Sequence, residues 1–386
     1  MVLSPPDIKE SDLRAWKLVA AFKKRLAKAR AKVAGHPSWA NPQRRLLEDD
    51  YLCLYLLGLA NPVVRTMRGL CAASHLGRVQ EEVCSRSVSL GSFSEAQHLI
   101  DPALLEKVFQ DLTQEMPGRD QAGRRWLIQD SSLFNALPRM YWALWRRQGK
   151  TQAQVRLHLS LDKVDESPAR ARITTGRGCE RAAWEREVRR GDGYVADRYY
   201  SENYQLLQRL DQKGVAFVVR LRETAVMAVA EELPYAEADR KARVVDDAWV
   251  RLGCKARCRI GRLRLVRVQA AKETLLLLTN LGPEELSAAQ VALLYQERWK
   301  VELFFRWIKY ILDCRHWLAE SAPGAEIQLY LALIAGLILH LYSGQKPNRR
   351  MMELLQWYGL GMATLEEVEA GLAREKLRQE ARAKKS

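Results

Sequence analysis

The chain has 386 residues, 48% apolar and 28% charged, with 62 Lys and Arg against 46 Asp and Glu and a formal charge of +16. That length predicts more than one domain, and the balance excludes a disordered chain, a collagen-like repeat or a coiled coil as the main architecture. The basic surplus points to a polyanionic partner, because neutralised phosphates release counterions, and ribosome association or an anionic membrane surface would suit the same number.

Met1 to Ala15 is polar and holds Asp7, Glu10 and Asp12 where a secretory leader would be apolar. The seven cysteines, 53, 71, 84, 179, 254, 258 and 314, are scattered. Together these predict a reducing, cytoplasmic setting with free thiols. Cys254-x3-Cys258 is the one zinc-like spacing, and no second Cys or His pair accompanies it, so zinc is not expected. The apolar run Leu329–Leu339 is too short to cross a bilayer and reads as a buried helix, so no membrane partner is expected.

From Leu13 to Leu47 there are ten basic residues and no acid: Arg14, Lys17, Lys23, Lys24, Arg25, Lys28, Arg30, Lys32, Arg44 and Arg45. A solvated basic helix would also show this pattern, but a stretch wholly free of acids favours phosphate contact. Helical segments follow from Leu46 to Leu59, after Asn61-Pro62, and from Pro102 behind Asp101, so 1–118 reads as a helical, basic DNA-binding region.

The period then changes. Trp126-Leu127-Ile128 is a short strand that runs into Asp130, and Val155, Leu157, Leu159 and Leu161 alternate as a half-buried strand. Gly191-Asp192-Gly193 turns into the strand Tyr194–Ala196, which ends at Asp197; a helix Tyr200–Gln212 and the strand Val215–Leu221 come next. This alternation predicts an α/β core over 119–222, continued over 276–345, with a β-rich insertion at 223–275 and a basic helical region for dimerisation or DNA contact at 346–386.

One long helix is expected from about Ser287 to Leu312. At about 100° per residue, Arg298, Glu302, Arg306 and Lys309 fall within about 80° of Tyr295, while Leu294, Val301, Phe304, Ile308 and Ile311 form the opposite, apolar side. A solvated charged face explains the charges but not Tyr295 and Trp299 among them.

The spacing Tyr295-x2-Arg298-x3-Glu302-x6-Lys309 matches the Y-(2)-R-(3)-E-(6)-K motif of DDE transposases of the insertion-sequence-four type, and the chain resembles that family from about residue 46 to 345. The resemblance implies an RNase H-like mixed-sheet core with Asp130, Asp197 and Glu302 as the three catalytic, metal-holding carboxylates. It implies two Mg²⁺ ions, with Mn²⁺ able to substitute, on either side of an in-line displacement at phosphorus. Tyr295, Arg298, Trp299, Arg306 and Lys309 would then meet double-stranded DNA, joined by Arg198 and Arg220 behind the second Asp. Trp299 and Trp249 are the two tryptophans that could stack on a base, and core packing suits each as well. The 105 residues between Asp197 and Glu302 exceed one strand and one helix, which agrees with an inserted β domain.

The implied activity is cleavage at inverted-repeat ends and transfer of the 3′ hydroxyls to target DNA, by a homodimer. An inactive DNA-binding regulator derived from such an enzyme, or an RNase H-like nuclease, are the alternatives. Among competing carboxylates, Asp192 suits a turn, Glu297 and Glu320 are alternatives on the helical side with Glu297 off the face of Glu302, and Asp162 and Asp165 belong to a loop. His316 and His340 have no partner spacing for metal or triad chemistry and read as structural.

Overall fold

The computed structural model describes residues 17–116, 123–147, 149–234, 236–253, 260–359 and 362–383. Cys254 and Cys258 therefore lie outside the described residues, as does Arg14. The chain forms two compact bodies: the described parts of Met1–Met116, Leu133–Val155 and Phe305–Ser386, and those of Pro117–Ser132 and Arg156–Phe304.

The first body is mainly helical. Its elements are α1 (Lys17–Arg30), α2 (Glu48–Ala60), α3 (Met67–Ala73), α4 (Gly77–Glu82), α5 (Leu90–Ala96) and α6 (Pro102–Glu115). Asp101 caps α6 by accepting from the Ala103 N–H at 2.9 Å, ahead of Pro102 at the first turn. Strand β1 (Trp126–Asn135) ends in this body, and β2 (Leu144–Arg147) pairs antiparallel with the start of β3 (Lys150–Asp162). The apolar run is longer than expected. It forms part of a 22-residue helix, Ala322–Ser343, capped by Ser321 and closed by Gly344 at φ 61°. By length and composition this helix could cross a membrane; 89% of its apolar window is buried within the protein, against α6, α1 and α2. Tyr55 donates to Gln328 Oε1 at 2.9 Å inside that packing, so even its polar side chain has a buried partner.

The second body is a mixed sheet. It adds β4 (Pro168–Thr175), α7 (Glu180–Glu187), β5 (Gly193–Ala196), α8 (Arg198–Ser201), α9 (Tyr204–Gln212), β6 (Ala216–Arg220), β7 (Met227–Glu232), α10 (Glu237–Lys241), β8 (Val244–Leu252), β9 (Ile260–Gln269) and β10 (Thr274–Thr279). The strand order is β2-β3-β1-β5-β6-β10-β9-β8-β7, with β4 also paired to β3. β1, β5 and β6 are parallel, and β10, β9, β8 and β7 follow antiparallel. A β4-β3-β1 meander flanked by two parallel strands is the order of an RNase H-like core, as expected. The 223–275 segment extends the same sheet rather than forming a separate one.

Period two divides this core. Tyr194, Ala196, Phe217 and Val219 pack on one face with Leu206, Leu207 and Leu210 of α9 and with Trp184 of α7. Val195, Ala216 and Val218 pack on the other with Val291, Ala292, Leu294 and Tyr295 of the next helix, α11 (Ala288–Gln296). Short parallel strands covered on both faces must be apolar throughout, which is why β5 and β6 are. Gly193 opens β5 opposite Trp126, and a Cβ there would lie 2.7 Å from the indole ring.

Two expectations change. β3 is not half-buried: Arg156, His158 and Ser160, the polar alternates, are buried too, with Ser160 donating to Gln129 Oε1 at 2.6 Å and His158 Nε2 lying 2.9 Å from Thr174 Oγ1. The expected single helix over 287–312 is two helices, α11 and α12 (Trp299–Tyr310). Between them the backbone tightens to i→i+3 bonds, Arg298 N to Tyr295 O at 3.1 Å and Lys300 N to Glu297 O at 3.0 Å. The 100° spacing therefore does not carry from Tyr295 to Glu302. The chain continues through α13 (Ala322–Ser343), α14 (Arg349–Gly359) and α15 (Leu365–Ala383). The last two pack together through Met351, Leu354, Val368 and Leu372.

Candidate active site

Strand register assembles the first part of the site. Gln129 pairs with Ala196 and Ala196 with Val219, so the next residues, Asp130, Asp197 and Arg220, stand in a row across three parallel strands. Asp130 is within β1 rather than at its end, because the strand continues to Asn135. Asp197 follows the last residue of β5 and caps α8, accepting from the Tyr199 N–H at 2.9 Å. The row lies at the carboxyl ends of β5 and β6, where open α/β sheets present their binding crevices.

The α11–α12 junction supplies the second part. Tyr295, nearly buried on the sheet, is influenced by Arg298, Arg220 and Asp197. Burial raises its hydroxyl, and the two arginines oppose that rise. Arg298 stands at the break between the helices, and its Nη1 lies 2.7 Å from Glu302 Oε1 and 3.9 Å from Asp130 Oδ2. Its guanidinium is 5.4 Å over the Trp299 ring, which is itself 61% exposed. So Tyr295, Arg298 and Glu302 do converge, through the break in the helix rather than along one helical face.

Asp130 has the most altered chemistry. Burial pushes its carboxyl up to about 7, and the charges of Asp197 and Glu180 push the same way; the Ser131 N–H, 2.7 Å from Oδ1, and Arg298 oppose them. Neighbouring like-charged carboxylates, here both half-buried, are stabilised by a cation. Among the described residues no three His, Cys, Asp or Glu side chains stand close enough to hold a metal ion. The donor chemistry suits a hard divalent ion, which takes carboxylate oxygens. Glu302 is turned to Arg298 and would have to leave it to join Asp130 and Asp197.

Other expected contacts lie elsewhere. Arg198 is exposed behind Asp197, and Arg220 pairs with Glu273. Arg306 and Lys309 belong to the first body, where Arg306 is exposed and the Lys309 ammonium lies 5.0 Å over the Phe134 ring. The N-terminal basic residues, also in that body, divide in two. Lys23 donates to Glu82 O, Arg25 pairs with Glu115, and Arg30 with Glu48 and Asp49, while Arg44 lies over Trp39. Lys24 and Arg45 are exposed, as are Lys28 and Lys32. Trp249 is half-buried beneath Arg262.

Asp192 is taken by Arg170, Glu297 by Lys300, and Glu320 by Arg139. Asp165 turns the loop, accepting from the Ser167 N–H at 2.8 Å; Asp162 instead ends β3, buried and 2.6 Å from Arg125 Nε. His316 lies 3.6 Å from Asp313 in the first body, and His340 is buried in α13. Sequence reasoning missed Glu180, which opens α7 and reaches Asp130 electrostatically, and Arg156, which pairs with it. The polar alternates of β3 were the available signal.

A Sinorhizobium fredii protein named as transposase y4zB is 32% identical over 177 residues, 45% of this chain and 48% of its own length. A Geobacillus stearothermophilus protein named as the transposase for insertion sequence element IS5377 is 28% identical over 212 residues, 54% of each chain. The chain thus spans about half the length of these curated relatives. A structure of the piggyBac transposase synaptic complex with hairpin DNA is similar at a TM-score of 0.46 and 13% identity, over 95% of this chain and 80% of that one. Residues 121–338, more than half of the sequence and the stretch holding Asp130, Asp197 and Glu302, match the transposase DDE domain, and the chain belongs to that family.

Proposed function

We propose that this chain cuts DNA at the inverted-repeat ends of an insertion sequence of the four type and joins the freed 3′ hydroxyls to target DNA, in a cut-and-paste reaction. The observation that carries the reading is the Asp130–Asp197–Arg220 row with Arg298 reaching both Asp130 and Glu302. Asp130, Asp197 and Glu302 would hold two Mg²⁺ ions, or Mn²⁺ in their place. When bound, the ions activate the attacking oxygen and stabilise the leaving 3′ oxygen.

The chain's own side chains do the rest. Arg298 lies against Glu302 and Asp130, and its planar fork suits bidentate contact with non-bridging phosphate oxygens. Arg220 offers a second cation in the same row. The Tyr295 hydroxyl, held protonated by burial, donates to a backbone phosphate. The exposed Trp299 ring offers a face for a base. Double-stranded DNA, as element ends and as target, is the partner, with two copies of the chain sharing two ends at the bacterial nucleoid.

Replacing Asp197 with Asn tests the reading. Single-turnover cleavage of a pre-bound element end should be abolished, while end affinity stays the same or rises, since a negative charge is removed. Mg²⁺-dependent nicking retained by Asp197→Asn would refute the assignment, and a wild-type chain that binds ends without cutting them would mark an inactive regulator.

A further inference from the structure

Asp130 is supported by residues outside the four-residue helix motif. The Arg156 side chain on β3 is only 11% exposed. Its Nη1 donates to Ser131 Oγ at 2.9 Å and pairs with Glu180, and its Nη2 donates to Gly176 O at 3.3 Å. Ser131 in turn donates its N–H to Asp130 Oδ1 at 2.7 Å. A fourth carboxylate, Glu180, thus acts on Asp130 in the Asp130–Asp197 row, and Arg156 is its counter-charge. Removing such a counter-charge leaves an uncompensated acid where two others already repel.

We propose that Arg156 is a positioning residue: it fixes Ser131, and through it the carboxylate of Asp130, and it keeps Glu180 out of the ion-holding set. This rests on the reading of Asp130 as an ion ligand given above. Without Arg156, Glu180 would turn toward the row and compete with Glu302 as an oxygen donor. Ions would then bind more tightly but in the wrong arrangement, and a misplacement of about 1 Å at a reacting phosphorus costs roughly a hundredfold in rate.

The test uses the full chain and five variants, Arg156→Gln, Glu180→Gln, the double variant, Arg156→Lys and, as a control for the site reading, Asp130→Asn. Two quantities are read: the Mn²⁺ concentration giving half of the Mn²⁺-induced rise in thermal midpoint without DNA, and the single-turnover rate on a pre-bound DNA end. Arg156→Gln should lower the half-saturating Mn²⁺ concentration while cutting the maximal rate at least about tenfold. Adding Glu180→Gln should return the Mn²⁺ concentration to the wild-type value and recover part of the rate, the rest staying lost with the Arg156–Ser131 contact, a coupling that independent sites do not show. Arg156→Lys keeps the charge and should keep wild-type Mn²⁺ saturation, which preserves the test if Arg156→Gln does not fold. A lower midpoint with unchanged Mn²⁺ saturation, or a rate that Glu180→Gln does not restore, would overturn the proposal. Failure of the underlying site reading looks different: Asp130→Asn would then keep its Mn²⁺ response and its cleavage.

Discussion

His158 shows how a single side chain on β3 links burial to pH. It is 2% exposed, with Thr174 as its hydrogen-bond partner. Burial lowers its pKa from 6.5 to about 4, and the nearby cations Arg156 and Arg172 lower it further. The unfolded chain takes up a proton near 6.5 and the folded chain only near 4, so the stability this residue contributes is complete above 6.5 and is lost as pH falls toward 4. By linkage the change is about 3 kcal/mol. His158→Gln keeps a polar group for Thr174 and removes the proton. Urea unfolding at a series of pH values should then show a shallower acid limb for the variant than for wild type between 6.5 and 4. Equal slopes would mean that His158 already carries its proton in the fold.

At the scale of elements, the helix bearing Tyr295 is held at its start by the β-rich extension. Arg264 on β9 and Asp247 on β8 form a bidentate pair with each side chain 1% exposed, and Arg264 also donates to Leu286 O, just ahead of the Ser287 cap of α11. Asp239 of α10 accepts from the Ala289 N–H at 2.7 Å, satisfying a first-turn donor of the same helix. Asp247→Ala leaves a buried guanidinium without its partner and should cost about 3–5 kcal/mol. Replacing both members with apolar residues of similar volume should cost far less, because no charge is then stranded. Equilibrium denaturation of the two variants decides it, and equal losses would show that packing, not the stranded charge, sets the cost.

At the scale of the molecule, the +16 charge is distributed unevenly in its availability. Arg25 and Arg30 are engaged by Glu115, Glu48 and Asp49, whereas Lys24, Lys28 and Lys32 are exposed on and just beyond α1. Phe22 and Leu26 of α1 are fully buried, so deleting the helix would damage the core as well as the charge. Charge removal is the cleaner probe. Lys24→Gln, Lys28→Gln and Lys32→Gln together should reduce the log–log salt slope of DNA binding by up to about 2.7, at roughly 0.9 for each phosphate no longer neutralised. The thermal midpoint should hardly move. An unchanged slope would identify these lysines as a solvated face.

Asp130, Asp197 and the motif Tyr295-x2-Arg298-x3-Glu302 take their meaning from the family resemblance, whereas local spacing was enough for the strands β5 and β6 and the Asp101 cap. The latter depend on a period of two or 3.6, or on a neighbour two or three residues away. The placement of Asp130 beside Asp197 and Arg220 depends on register between strands 67 and 23 residues apart in sequence. Nothing local specifies that register, since it is chosen by which faces the sheet buries. The helix break at Arg298 was hidden because no Gly or Pro marks it. The alternation of Val155, Leu157, Leu159 and Leu161 predicts a half-buried strand, and the burial of Arg156, His158 and Ser160 escapes it because alternation reports polarity, not exposure. Only the meander β4-β3-β1 and the helices above it supply the buried partners that let polar residues face inward there, and that is a property of the assembled sheet.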